Sequence, residues 1–269
     1  MIVRADAALV DRGLARSRAV ARELIDAGRV SAAGRPVAKP STSVDPQTLE
    51  LTGEPERWVG RAAYKLVAAL DAFPIAVGGT RCIDVGASTG GFTQVLLQHG
   101  AREVLALDVG HGQLAAPVRE DDRVTELSGT NVRDVTAADL GGPADIVVAD
   151  LSFISLRLVL PTLAELTAAG GDLVTLVKPQ FEVGRERLAR TGVVQSPNER
   201  SRVLRDVVGA LPGVGLHVHG LATSPIAGGT GNVEYLLWAR HTTPGKMTDV
   251  QLETTLDRML TDETAGRRV

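Results

Sequence analysis

From Cys82 to Ala239 the chain alternates short apolar runs with polar or glycine-rich stretches of helical or loop length. The runs are Cys82–Val85, Val104–Leu107, Val124–Leu127, Ile146–Ala149, Leu173–Val177, Val214–Leu221 and Val233–Ala239. Several are too uniformly apolar to be half-exposed, as expected of strands covered on both faces. The alternation predicts a doubly wound α/β domain, a mostly parallel sheet with helices on both faces. The segment Thr223–Asn232 is rich in glycine and proline, so the last strand is expected to return antiparallel to its predecessor. Ahead of the first strand, Gly60–Phe73 reads as a helix with Leu66, Leu70 and Phe73 on one face.

The first fifty residues have a different rhythm. Asp6–Arg12 predicts a short helix ended by Gly13; Ser17 would cap a second helix running through Ala27, and Gly28 would end it. Val20, Leu24 and Ala27 share one face of that helix, Arg18 and Arg22 another. Strands are expected at Arg29–Ala32 and Arg35–Ala38, joined at Ala33-Gly34, with a last one near Thr48–Leu51. The pattern divides into a small α+β head over 1–52, a linker at 53–59 and a main domain over 60–245. A C-terminal helix and tail follow over 246–269, with Leu252, Leu256 and Met259 in register.

Composition and charge narrow the function. The chain has 269 residues and a net charge of −3, which excludes a generic polycation that coats nucleic acid. The charge is uneven. Residues 1–40 carry eight Lys or Arg against four acids, whereas the remainder holds 21 basic against 28 acidic residues, so a basic head precedes an acidic body. Cys82, the single cysteine, excludes an internal disulfide framework, and Met1–Asp6 lacks the apolar run of a secretory signal. A cytoplasmic location is expected. The longest stretch free of Asp, Glu, Lys and Arg, Val207–Val233, holds two Pro and seven Gly, too many breakers for a membrane helix, so no membrane insertion is expected.

Candidate chemistry sits at strand ends, where open α/β sheets bind their ligands. The first strand runs into Asp84, Gly86, Ala87, Ser88, Thr89, Gly90, Gly91 and Phe92, a glycine-rich turn entering a helix. Its D-x-G-x-x-x-G spacing is a poor fit to the G-x-G-x-x-G of dinucleotide enzymes. The second strand ends at Asp108, able to accept ribose hydroxyls, and the third leads to Thr130-Asn131, suited to an adenine edge, with His111 close by. Asp108 alone reads as an ordinary strand-end acid. Asp150 ends the fourth strand, Lys178 the fifth, and Glu234 opens the last; Lys65 on the preceding helix can join them. Separately these are a helix cap, a solvated strand end and a surface pair. Cys82 reads as a core thiol, Trp58 as a packing anchor, and His217 and His219, without a third ligand, as structural rather than metal-binding.

Several strings resemble known families. R-A-D-A-A-L-V-D-R-G-L-A-R-S-R-A-V-A-R-E-L-I-D-A-G-R-V is similar to the S4-type RNA-binding module, which implies that Arg16, Arg18, Arg22 and Arg29, with Arg4, contact RNA phosphates. The glycine loop with Asp108 resembles the S-adenosylmethionine pocket of class I (Rossmann-like) methyltransferases. Lys65, Asp150, Lys178 and Glu234 match the K-D-K-E tetrad of FtsJ-like ribose 2′-O-methyltransferases. With Trp58-Val59-Gly60-Arg61, V-V-A-D-L-S-F-I-S, L-V-K-P-Q-F-E and G-N-V-E-Y, the whole chain resembles the TlyA (haemolysin A) family. That resemblance implies cytidine 2′-O-methylation of ribosomal RNA in the large subunit, and in some members also the small one.

A ribose hydroxyl is almost wholly protonated near neutrality, so methyl transfer to it needs a base or charge stabilisation. Lys178 is the candidate, supported by Lys65 and the two carboxylates. The methyl group rides on a sulfonium, so no metal site is expected. Three other readings stay open from sequence: a small-molecule methyltransferase, which leaves the basic head unexplained; a non-catalytic RNA-binding assembly factor, which leaves the tetrad unexplained; and a haemolysin-like membrane activity.

Overall fold

The computed structural model describes residues 2–15, 18–53 and 57–264. The chain forms two compact units, Met1–Arg57 and Trp58–Val269.

In the first unit, β1 (Val3–Arg4) leads into α1 (Ala5–Asp11), then α2 (Arg18–Asp26), β2 (Val30–Ala32), β3 (Arg35–Pro36), β4 (Ser43–Val44) and β5 (Leu49–Leu51). β2 pairs antiparallel with both β3 and β5, and β1 with β4. The β2–β3 connection turns through Ala33 (φ 49°) and Gly34 (φ 74°), two successive left-handed residues whose twist matches a tight hairpin. Gly28 (φ 69°) follows α2, as expected. The buried stripe of α2 is Ala21, Leu24 and Ile25, and Ala27 is exposed. The face therefore differs from the expected Val20, Leu24 and Ala27: helix ridges at i, i+3, i+4 bring Ile25 inward, and the longer side chain takes the core site. The expected Ser17 cap lies outside the described residues.

The second unit runs α3 (Ala63–Ala72), β6 (Arg81–Val85), α4 (Gly91–Gln98), β7 (Glu103–Asp108), α5 (Ala116–Arg119), β8 (Val124–Ser128), β9 (Ala144–Ala149), α6 (Leu160–Leu166), β10 (Thr167–Val177), α7 (Pro179–Glu182), α8 (Pro197–Ala210), β11 (His217–Thr223), β12 (Tyr235–Arg240) and α9 (Asp249–Thr264). Its seven-stranded sheet has the order β11-β12-β10-β9-β6-β7-β8. β10, β9, β6, β7 and β8 are parallel, and β12 inserts antiparallel between β10 and β11. β11 begins at His217 and not at Val214, because Leu211–Val214 closes a 3₁₀ turn that ends on Gly215 (φ 76°).

Alternation along the strands feeds two cores. Ile83, Val85, Leu105, Leu107 and Val147 pack with Leu160, Leu163, Leu204, Leu256 and Met259 of α6, α8 and α9. Cys82, Val104, Ile146 and Val148 pack on the other side with Leu66, Phe92, Val95 and Trp58. Trp58 is buried among apolar side chains, consistent with the packing role read from sequence. His219 is buried against the Trp238 ring and bonds the Thr242 carbonyl oxygen, so it too serves packing. Among the described residues, no helix is long and apolar enough to cross a membrane, and no His/Cys/Asp/Glu group could hold a metal ion.

Candidate active site

The sheet order reverses between β6 and β9: β7 and β8 lie beyond β6, β10 beyond β9. Ligands of open α/β sheets bind outside the carboxyl ends of the strands at such a point. The glycine loop leaves β6 there and Asp150 leaves β9 there.

Three glycines of the loop are required by close approach. Gly86 (φ 83°) faces the neighbouring strand exit, where a Cβ would lie 3.1 Å from Leu151 Cδ2 and 3.2 Å from the Asp150 carbonyl oxygen. At Gly90 (φ 87°) a Cβ would meet Val118 Cγ1 at 2.8 Å. At Gly91 it would lie 3.1 Å from the Ala63 nitrogen. The last contact lets the start of α4 lie against the start of α3, which carries Lys65 toward the sheet edge.

Asp108 organises the loop from β7. Its Oδ2 accepts the Ser88 N–H at 2.8 Å; its Oδ1 accepts the Gly110 N–H at 2.8 Å and the Gln113 amide at 3.3 Å. Ser88 sits at φ 47°, a strained backbone that this bond helps to hold. Thr130 donates its N–H to the Asp108 carbonyl oxygen, while the Asn131 side-chain oxygen accepts from Arg133 N–H and caps the turn Val132–Asp134. The His111 ring lies over Gly129, where a Cβ would be 2.5 Å from Nε2.

Asp84 is buried beneath the loop, with Oδ2 accepting the Thr93 hydroxyl at 2.7 Å and Oδ1 without a hydrogen-bond partner. Burial pushes this carboxyl up to about 7, and the hydrogen bonds from Thr93 offset that only in part. Between the ordinary value of 3.8 and about 7 the native state then holds a proton that the unfolded chain has released. This contribution to stability is full below the lower value and is lost as pH rises to the upper one. In Asp84→Asn, the stability advantage of the variant over the wild type should grow from about pH 4 to about pH 7 and then level off. Thermal melts across that range test it; a flat difference means that the carboxyl is ionised throughout.

The structure brings Lys65, Asp150, Lys178 and Glu234 together. Lys65 Nζ lies 3.1 Å from Asp150 Oδ2 and 2.7 Å from Glu234 Oε2, the latter off the hydrogen-bonding direction. Lys178 Nζ lies 2.7 Å from Asp150 Oδ1 and donates to Ser152 Oγ at 3.0 Å. Each Asp150 oxygen thus has a different nearest ammonium, and Lys65 also reaches Oδ1 at 3.4 Å. Burial raises the Asp150 carboxyl, but the charges of Lys178 and Lys65 outweigh it and hold the group below its usual range. Lys65, Lys178 and Glu234 are all buried, with Asp150 only slightly less so. Two ammonium groups balance two carboxylates, which lessens the cost of burying them. Topology explains the meeting: β12 is antiparallel to β10 with Tyr235 opposite Val177, so Glu234, just before β12, falls beside Lys178, just after β10.

Several partners escaped sequence reasoning. Gln180 donates to Glu234 Oε1 at 3.3 Å, and Gly228 leaves room for that carboxylate. Glu182, buried at the end of α7, accepts the Ser155 hydroxyl and the Leu156 N–H, clamping the segment after Ser152. Phe153 is 93% exposed at φ 64°, with its ring 5.3 Å from that of Phe181. For Gln180, Glu182, Phe153 and Phe181 the available signal was adjacency, since they lie within the same D-L-S-F and K-P-Q-F-E strings as Asp150 and Lys178; Gly228 carried no such signal.

In the head, Arg4, Arg18 and Arg22 gather around Asp6, and Arg29 Nε donates to the Thr52 carbonyl oxygen at 3.3 Å. Arg16 lies outside the described residues.

Residues 58–241 match the FtsJ-like methyltransferase family model, and residues 3–49 the S4 domain model. The chain is 50% identical over 261 residues to the 16S/23S rRNA (cytidine-2′-O)-methyltransferase TlyA of Mycobacterium tuberculosis, spanning 96% of this chain and 97% of that one. It is 44% identical to a proposed rRNA methyltransferase of Bacillus subtilis, YqxC, over 87% of this chain and 84% of that one. A solved structure of a proposed hemolysin from Streptococcus thermophilus superposes with a TM-score of 0.77 at 38% identity, covering 100% of this chain and 99% of that one. An S4 module, an FtsJ-like domain with a buried K-D-K-E cluster, and relatives aligned nearly end to end place the chain in the TlyA (haemolysin A) family of methyltransferases.

Proposed function

We propose that this chain transfers the methyl group of S-adenosylmethionine to the ribose 2′-hydroxyl of a cytidine in ribosomal RNA. The observation that carries this reading is the buried, charge-balanced Lys65, Asp150, Lys178 and Glu234 cluster at the switch point of the sheet. The substrate follows from the family, whose Mycobacterium tuberculosis member is a 16S/23S rRNA cytidine methyltransferase.

The loop fits the nucleoside. An ionised carboxylate offers about four acceptor positions, and Asp108 commits two of them to backbone N–H groups. The third partner, the amide of exposed Gln113, can give way to a ribose hydroxyl. Thr130 and Asn131 would line the base; Gly86 to Phe92 and Asp84 would frame the amino-acid end, with Asp150 beside them. S-adenosylmethionine supplies a methyl group already activated on a sulfonium. The protein's part is to hold the hydroxyl in line and manage its proton. Lys178, once its own proton has left, takes the hydroxyl's proton. Asp150 and Ser152 hold its Nζ in place, while Lys65 and Glu234 fix Asp150 in turn.

Residues 1–52, the S4-like head, bind RNA phosphates through Arg4, Arg16, Arg18, Arg22 and Arg29, and residues 60–245 carry out the transfer. The chain acts where ribosomal subunits are, in the cytoplasm. The test is transfer of labelled methyl from S-adenosylmethionine to ribosomal subunits lacking the modification. Label should be recovered as 2′-O-methylcytidine. Cofactor binding with no label in the RNA of either subunit would overturn the ribosomal substrate and favour a small-molecule methyltransferase.

A further inference from the structure

One buried charge plays no part in this reaction. Asp6, in the first turn of α1, is fully buried, yet three guanidinium groups converge on it. Arg4 binds it through both Nε and Nη2 at 3.0 Å, Arg18 Nη2 lies 2.9 Å from Oδ2, and Arg22 Nε lies 4.0 Å from the same oxygen. The arginines hold this carboxyl well below the usual carboxylate range.

The stoichiometry is informative. A buried carboxylate is neutralised by one bidentate arginine, which Arg4 alone provides. Arg18 and Arg22 add two further positive charges from a second element, so three like charges sit around a single anion. Their side chains remain 47%, 55% and 59% exposed, leaving donors turned to solvent. Such a surplus repels itself unless another anion arrives. A multiply charged anion such as an RNA phosphate backbone satisfies that surplus, and guanidinium groups already held by Asp6 lose little freedom when it binds.

We infer that Asp6 is a positioning residue for RNA, ordering Arg4, Arg18 and Arg22 into one phosphate-binding array from beneath. The inference rests on the reading that the head binds RNA.

Bulk charge and positioning predict opposite signs, which gives the test. Asp6→Asn makes the head one unit more positive, so charge alone would tighten RNA binding and lower KM for the ribosomal subunit. Positioning predicts a KM about tenfold higher with kcat unchanged, because each side chain must be ordered during binding. Arg18→Lys keeps both charge and fold but cannot grip Asp6 and a phosphate with one planar fork; its KM should rise about fivefold, where bulk charge predicts no change. The double variant should do no worse than Asp6→Asn alone.

An unchanged or lower KM in Arg18→Lys overturns the inference, even if Asp6→Asn weakens the fold, which thermal melting of the same preparations reports. The underlying reading fails separately. If Arg4→Gln, Arg18→Gln and Arg22→Gln together leave KM unchanged while the wild type still methylates RNA, the head does not use these residues to bind RNA at all.

Discussion

Lys178→Ala is expected to lower the methyl-transfer rate by about 10²- to 10⁴-fold, the usual contribution of a positioned acid or base, while S-adenosylmethionine binding stays within about twofold. The fold should survive. Asp150 loses the ammonium 2.7 Å from Oδ1 but keeps Lys65 at 3.1 Å from Oδ2, so no buried carboxylate is stranded. Lys178→Arg separates two roles. A guanidinium keeps the positive charge but does not give up its proton. Loss of activity in both variants therefore assigns proton transfer to Lys178, whereas recovery in the arginine variant assigns charge stabilisation of the developing alkoxide. Single-turnover rates with the ribosomal subunit at saturating cofactor make the comparison. An alanine variant within about threefold of wild type would remove Lys178 from the chemistry and leave alignment of the hydroxyl as the main contribution.

The cluster was legible in sequence for a topological reason. Asp150 and Lys178 follow continuous apolar runs, which marks them as strand ends of a buried sheet, and parallel strands end at one edge. Glu234 needed one further step, the return of the last strand, which the glycines and prolines between Thr223 and Asn232 supplied. The antiparallel pairing of β11 with β12 bears that step out, and the register of Tyr235 opposite Val177 brings Glu234 beside Lys178. What stayed hidden depends on rotation and reach. The inward face of α2 was misplaced because the helix ends at Asp26, so Ala27 falls past its last turn and Ile25, about 200° away from that position on the helix, joins Ala21 and Leu24 inside. The insertion of β12 between β10 and β11 is a choice among strand orders that local pattern does not encode. Asp6, Glu182 and Gln180 read as ordinary surface polar residues until the fold buries them or brings a partner from a distant segment. Asn131 reads from sequence only as a group for a base edge; the fold adds a second role, its side-chain oxygen accepting the Arg133 N–H and capping a turn.

Lys65 should matter more to stability than Lys178, because it is the ammonium that both carboxylates share. Its Nζ lies 2.7 Å from Glu234 and 3.1 Å from Asp150. In Lys65→Met, Asp150 retains Lys178, but the carboxylate of Glu234, 2% exposed, is left among the described residues with only the Gln180 amide at 3.3 Å. Stranding a buried charge in this way costs about 3 to 5 kcal/mol, which in a domain of this size lowers Tm by roughly 10 °C. Adding Glu234→Gln to Lys65→Met removes the stranded charge and should recover a large part of the loss, so the two substitutions are strongly non-additive. The pairing also fixes an order: Lys65→Met should melt well below Lys178→Ala, although both lose activity. Denaturant melts of the four proteins in the cycle decide it. Additive losses would mean that Glu234 is neutral in the folded protein, and the cluster would then carry one net positive charge when RNA arrives.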